Sequence, residues 1–339
     1  MTTFVPLDEK PATEVRWHRL LMLFTIAMAV LAVVSVGGLL WDHRILDGVP
    51  IWLKPFKFAV SFALYGYTLA WLLTMVSRGR RIASATGSVI AISGFLEFAL
   101  IVLQVVRGQA SHFNISTSFN AMVYNAMGAL ADIVFVATFV LACLLAFKHT
   151  DDRARRWSLR FGLVTSLVGM GLATLMLTND SGTPAMVGGH SVGVADGGRA
   201  MPITGWNLDG GDLRIPHFVG LHGLQALPLL ALLLTWLARR YPVLRDEGVR
   251  VRLLVVGTVA YAGLIALVLW QALRGQSIAH PDQQTLATFG LIVVWSVVGA
   301  GTVVHRAKTR YELAGRQGQR PGDGAVCPAA GIESLPGQG

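Results

Sequence analysis

Charge is scarce in this chain. Only 14% of its 339 residues are Asp, Glu, Lys or Arg, while 53% are hydrophobic and the mean hydropathy is +0.57. Soluble domains carry about 25% charged residues, so the composition excludes an ordinary soluble enzyme or a disordered scaffold. It also argues against reading the net charge of +9 as a nucleic-acid-binding surface. Cysteine is almost absent. Cys143 sits inside an apolar run and Cys327 in a Gly/Pro-rich tail, which leaves no disulfide framework and no CxxC redox or metal motif. An HxH, an HExxH and an i, i+4 histidine pair are missing too, as is a P-loop lysine beside the many glycines. The first apolar run, Leu20 to Leu40, is too long for a cleaved signal and reads as a retained anchor.

What the chain does contain is apolar runs of about 20 residues, the length that crosses a bilayer core as helix. Eight occur, near 20–40, 56–76, 83–106, 119–147, 159–178, 217–238, 251–273 and 285–305. The expected fold is therefore all-α, an eight-span transmembrane helix bundle in the lipid bilayer. Of the 28 Lys and Arg, 21 fall in the segments that precede span one, follow span eight, or join spans 2–3, 4–5 and 6–7. The positive-inside rule then places both termini in the cytoplasm. Most tryptophans fall near span ends, as interfacial belts require; Trp295 lies mid-span. Residues 1–19 form a cytoplasmic N-terminal segment, and the Gly-, Pro- and Arg-rich stretch 306–339 reads as a disordered cytoplasmic tail.

The sequence echoes itself. Gln104-Val105-Val106-Arg107-Gly108-Gln109 ends span three, and Gln271-Ala272-Leu273-Arg274-Gly275-Gln276 ends span seven. Arg16-Trp17 and Arg156-Trp157 precede spans one and five, and Pro55 and Pro216 open spans two and six. These matches suggest two parallel four-helix repeats, 20–147 and 148–305.

Polar groups inside a membrane are costly and usually face a bundle interior. In span two, Lys57, Ser61, Tyr65 and Thr68 make one helical stripe; Glu97 and Gln104 align in span three, and Ser118, Asn125 and Asp132 in span four. Span six adds His222 and Gln225, with His217 on another side. The outer connections contribute Arg107, His112, Asn114 and Arg214. At about 1.5 Å per residue, Tyr65, Glu97, Asp132 and Gln225 lie near the midplane. The stripes together predict a polar pocket open to the outside, with Glu97 and Asp132 at its floor. For Ser61, Thr68 and Ser118 the alternative of simple interhelical bonding is favoured. The Gly-rich outer loop 178–216 is either a lid or a floppy insertion.

Six of the nine histidines lie on the outer side. His112, His217 and His222 are candidate ligands for haem or a metal ion, since imidazole is the commonest metal ligand. Taken together, Lys54-Pro55-Phe56-Lys57-Phe58-Ala59-Val60-Ser61 to Tyr65, Arg107-Gly108-Gln109-Ala110-Ser111-His112-Phe113-Asn114 and Pro216-His217 to Pro228 resemble segments of a group of bacterial multi-pass integral membrane proteins. That resemblance implies a helical plasma-membrane protein and brings no activity, cofactor or catalytic residue. The leading expectation is binding or transport of a small polar or ionic solute. A redox or metalloprotein comes second, and an enzyme using Glu97 or Asp132 with His222 comes last, for want of a nucleophile motif.

Overall fold

The computed structural model describes residues 17–76, 79–146 and 152–318, the last five by backbone alone. In chain order the helices are α1 (Arg19–Trp41), α2 (Leu53–Thr74), α3 (Arg80–Val106), α4 (Ser118–Ala146), α5 (Arg153–Leu172), the short α6 (Leu175–Thr178), α7 (Arg214–Leu221), α8 (Gly223–Leu237), α9 (Glu247–Leu273) and α10 (Gln283–Gly318). Two antiparallel pairs of two-residue strands interrupt them: β1 (Ile45–Leu46) with β2 (Val49–Pro50), and β3 (Ser191–Val192) with β4 (Gly211–Asp212). Among the described residues seven helices are long and apolar enough to cross a membrane. The eighth expected crossing is broken: α7 and α8 pass that test only as a pair, bent by 43°. His222 lies at the break between Gly220-Leu221 and Gly223, and Tyr261 of α9 donates to the Val219 carbonyl there at 2.5 Å. Inserted donors and glycines are recognised causes of such kinks.

Helix ends follow local chemistry. Asp152 caps α5 by accepting from Arg155 N at 3.0 Å, and Asp246 caps α9 by accepting from Gly248 N at 2.7 Å. α3 and α9 end alike. Gly108 and Gly275 take the left-handed conformation (φ +67° and +69°), Gln109 N reaches the Gln104 carbonyl, and Gln276 N reaches the Gln271 carbonyl. Both are Schellman turns, which a glycine at that position permits. α10 runs on to Gly318, so the tail expected to be disordered from residue 306 begins as helix; the remainder, 319–339, lies outside the described residues.

α1 packs on α2 and α3 through Phe24, whose ring fills the space above Gly66 and Gly94. α5 packs on α7 and α8 by glycine-to-glycine approach: a Cβ on Gly220 would stand 2.5 Å from Gly169 Cα. The largest apolar cluster joins Leu21, Phe24, Leu69 and Phe98 to Leu141, Leu159, Leu163 and Leu224. Because it draws on α1 to α5 and α8, the two halves share one core. Elsewhere the helices expose broad apolar faces, as expected of a membrane-embedded bundle.

Candidate functional site beneath the loop cap

One end of the bundle gathers the connections 42–52, 107–117 and 173–213. The Gly-rich segment folds into a cap. Asp212, buried, accepts from Asn207 N at 2.8 Å and forks with Arg214 at 2.6–3.2 Å; Asn207 Nδ2 donates to Ser191 Oγ at 2.9 Å, and Ser277 Oγ donates to the Asn207 carbonyl at 3.3 Å. The cap is stitched to the 107–117 connection by Ile115 N to the Ala185 carbonyl (2.9 Å) and Val187 N to the Phe113 carbonyl (2.8 Å). Below, the β1–β2 hairpin turns at Asp47-Gly48, both with positive φ, the type of turn this dipeptide favours. Its tip leaves no room for a Cβ on Gly48 against the Gly197 and Gly198 carbonyls. Two cations hold successive cap carbonyls: Lys57 Nζ donates to Thr204 and Arg214 Nη2 to Gly205. The segment 178–216, expected to be either a lid or a floppy insertion, is folded, and it lies over the end where an open mouth was expected.

Around Lys54 at this end lie Glu97 and His112, with His190 of the cap itself and His217 of α7 within electrostatic reach of His112. Lys54 is within electrostatic reach of Lys57, Asp47, Arg214 and Glu97. His112 packs between Phe58 and Phe113, with ring centroids 5.7 and 6.1 Å away, and His190 meets the other side of Phe113 edge-on at 5.2 Å. Burial above all holds the His112 imidazole well below its ordinary range, and Lys54, His190 and His217 add to this whenever they carry a proton. His190 is also lowered, by burial above all; Asp196 opposes this from 3.2 Å. Each of the three rings has its Nδ1 engaged: His112 with Ser111 Oγ (3.1 Å), His190 with Asp196, and His217 as donor to the Gly169 carbonyl (2.7 Å). Glu97 is 7% exposed. Neither Glu97 nor Lys54 has a side-chain hydrogen bond or ion pair among the described residues.

The other expected pocket residues divide into two sets. Several are locked. Gln104, fully buried, donates to the Ala110 carbonyl (3.1 Å) and Asn120 Oδ1 (3.2 Å) and accepts from Arg107, which also donates to Asn120 at 2.8 Å. Asn114 bonds Ala110 and Ser116. Tyr65 bonds Thr138 of α4, and Gln225 joins Thr68 (3.2 Å) to His222 (3.3 Å). Two residues face away. Asn125 and Asp132 are exposed, because α4 buries its opposite side through Val123, Met127, Val134 and Leu141. Helical spacing correctly aligned them with each other, yet the aligned face looks out of the bundle, so Asp132 is not part of the floor.

His112, His217 and His222 are not gathered with each other into a metal-ion site. Among the described residues no group of three or more His, Cys, Asp or Glu is placed to hold a metal ion. Lys54 and His190 are the residues sequence reasoning passed over. Lys54 stands one helical turn before Lys57, a signal in the same KPxK stretch; His190 has only its position in the loop. No protein-family model matches the chain, and neither a curated protein nor a solved structure is detectably similar to it.

Proposed function

We propose that this is an eight-span protein of a bacterial plasma membrane, with its capped end outside and its basic end and both termini in the cytoplasm. In this reading the capped cluster is a binding site for a small polar or ionic solute. The charge asymmetry of the connecting segments supports the orientation. Two like-oriented four-helix units are supported by matched helix ends. Gln104 Nε2 donates to a carbonyl six residues on, at Ala110, and Gln271 Nε2 does the same to Ser277 at 3.0 Å.

The observation that carries the binding reading is the state of Lys54 and Glu97. Buried polar groups are nearly always paired; Glu97 is buried and Lys54 part-buried, and the polar groups around them have partners: Lys57, Arg214, Asp212, His190 and His217. Lys54 and Glu97, a basic and an acidic side chain, are within electrostatic reach of each other, and no hydrogen bond or ion pair joins them among the described residues. A solute offering an acceptor to the ammonium and a donor to the carboxyl completes both. Deeper in the bundle, the Tyr65–Thr138 and Gln225–Thr68 bonds close the space between helices, which supports reception at the capped end over an open passage.

The test is thermal unfolding of the purified protein in detergent with glycine, acetate, phosphate and a monosaccharide at millimolar concentration. At least one should raise the midpoint of the wild type and leave Lys54→Met and Glu97→Gln unmoved. A wild type indifferent to all four, or variants that respond equally, overturns the reading.

A further inference from the structure

The exposed side of α4 has a regular composition. Met122, Asn125, Ala129, Asp132, Val136 and Phe139 are all exposed, and Cys143 continues the series. The intervals alternate three and four, which is the heptad seam of a left-handed helix pair. At about 100° per residue, the seam lies opposite the buried stripe of α4. Two members are polar, and their side chains are too short to reach a bilayer surface from mid-helix. Asp132 has no hydrogen bond or ion pair among the described residues, and with Thr86 it lines a shallow concavity of about 530 Å³ between α3 and α4.

We propose that this face is where a second copy of the chain docks, α4 against α4, about a twofold axis running along the helices. The seam itself points to that partner. Copies inserted in one membrane share an orientation, so a twofold axis sets each residue against its own counterpart. Asn125 opposite Asn125 pairs well, because an amide is both donor and acceptor. Asp132 opposite Asp132 is satisfied by one shared proton, a carboxylic acid donating to a carboxylate. Ala129 between them lets the backbones approach. A lipid acyl chain satisfies neither polar group. A helix bearing one basic residue answers Asp132 and leaves Asn125 unmatched.

Cys143 makes the native chain its own probe. The full-length Cys327→Ser protein, kept in membrane vesicles and treated with copper phenanthroline, should give a reductant-sensitive band at twice the 36.4 kDa chain mass. In a Cys143→Ala, Cys327→Ser background, Met122→Cys, Ala129→Cys and Val136→Cys should cross-link in the same way. Ala131→Cys and Phe135→Cys, exposed but off the seam, should cross-link several-fold less. Asn125→Leu combined with Asp132→Leu should lower the Cys143 yield even though it makes the face more apolar. Cross-linking that ignores the period, capture of a different polypeptide at Cys143, monomer alone, or an undiminished yield in the double variant each overturns the proposal.

Discussion

The two Gln-x-x-Arg-Gly-Gln turns are alike in backbone and unlike in load, and that difference can be measured. Gln104→Ala removes two neutral hydrogen bonds, to the Ala110 carbonyl and Asn120 Oδ1, and one from the Arg107 guanidinium. Neutral bonds contribute about 1 kcal/mol each and one to a charged group about 1.5–3. Arg107 is exposed and keeps Asn120, which puts its share at the low end. The total is about 3–4 kcal/mol. Gln271→Ala loses one bond, to the buried Ser277 carbonyl, at about 1–2 kcal/mol once that carbonyl's desolvation is counted. The lost apolar stem is common to both, so the expected gap is about 2 kcal/mol. Unfolding in mixed micelles, followed by tryptophan fluorescence as the SDS fraction rises, gives both values. Equal costs, or a larger cost at Gln271, would refute the reasoning from partner number.

Three further outcomes follow from the geometry. Glu97→Gln replaces a buried carboxyl that has no partner among the described residues by an amide of the same shape, so it should leave stability equal or raised while abolishing any solute response; strong destabilisation would mean Glu97 holds the fold. Gly169→Val should abolish monodisperse protein in fluorescence-detected size exclusion, since a Cβ there meets the Leu221 and Gly220 backbone, whereas Gly171→Ala, with open space around it, should behave as wild type. The cap should loosen as pH falls from about 6.5. His112 and His190 are held neutral in the folded state, the unfolded chain takes up their protons first, and each such histidine removes up to about 1.4 kcal/mol per pH unit below that point. Asp196 is held below the usual carboxylate range, by its His190 and Ser191 partners working against burial, so its contribution fails only at much lower pH. Trypsin cleavage at the exposed Arg199 should therefore quicken from pH 7.5 to 5.5 once corrected for protease activity, and slowing would contradict the assigned neutrality.

Which features could be read from the sequence depended on the range of the forces involved. Span positions follow from the bilayer's thickness and from runs of apolar residues, so seven of the eight runs coincide with a helix long enough to cross, most with ends displaced by a few residues, although α6 breaks off the end of the fifth and α10 runs well past the eighth. The Gln-x-x-Arg-Gly-Gln echo was legible because a Schellman turn is local and its glycine requirement is written in one position. The hairpin at Asp47-Gly48 had an equally local signal that went unread. Helical periodicity shows which residues share a face and says nothing of which way that face turns. Asn125 and Asp132 were aligned rightly and assigned to the wrong side for this reason. The folded cap was unreadable in a stronger sense: Asn207, Asp212, Ser191 and Ser277 are joined by side-chain bonds that no period announces, the longest, Ser277 to Asn207, spanning 70 positions of sequence.

The polar residues of the bundle sort by whether the fold has already used their bonding capacity. Gln104, Arg107, Asn114, Tyr65 and Gln225 each hold two elements together, and such bonds within a membrane contribute about 0.6–2 kcal/mol, a structural role. His190, His217, Lys57 and Arg214 bind the cap or its surroundings, and the Nε2 atoms of the two imidazoles have no hydrogen-bond partner among the described residues. Lys54 and Glu97 have given nothing to the fold. Desolvating two opposite charges without joining them costs several kcal/mol in principle, and a sequence held only for stability would drift toward contact or toward apolar replacement at both positions. Lys57 and Arg214 hold the cap by side-chain bonds to adjacent carbonyls, beside the backbone bonds at Ala185 and Phe113 and the Ser277 bond, and the separation of Lys54 and Glu97 beneath it is the arrangement the proposed solute site needs: bonding capacity left open inside a covered end.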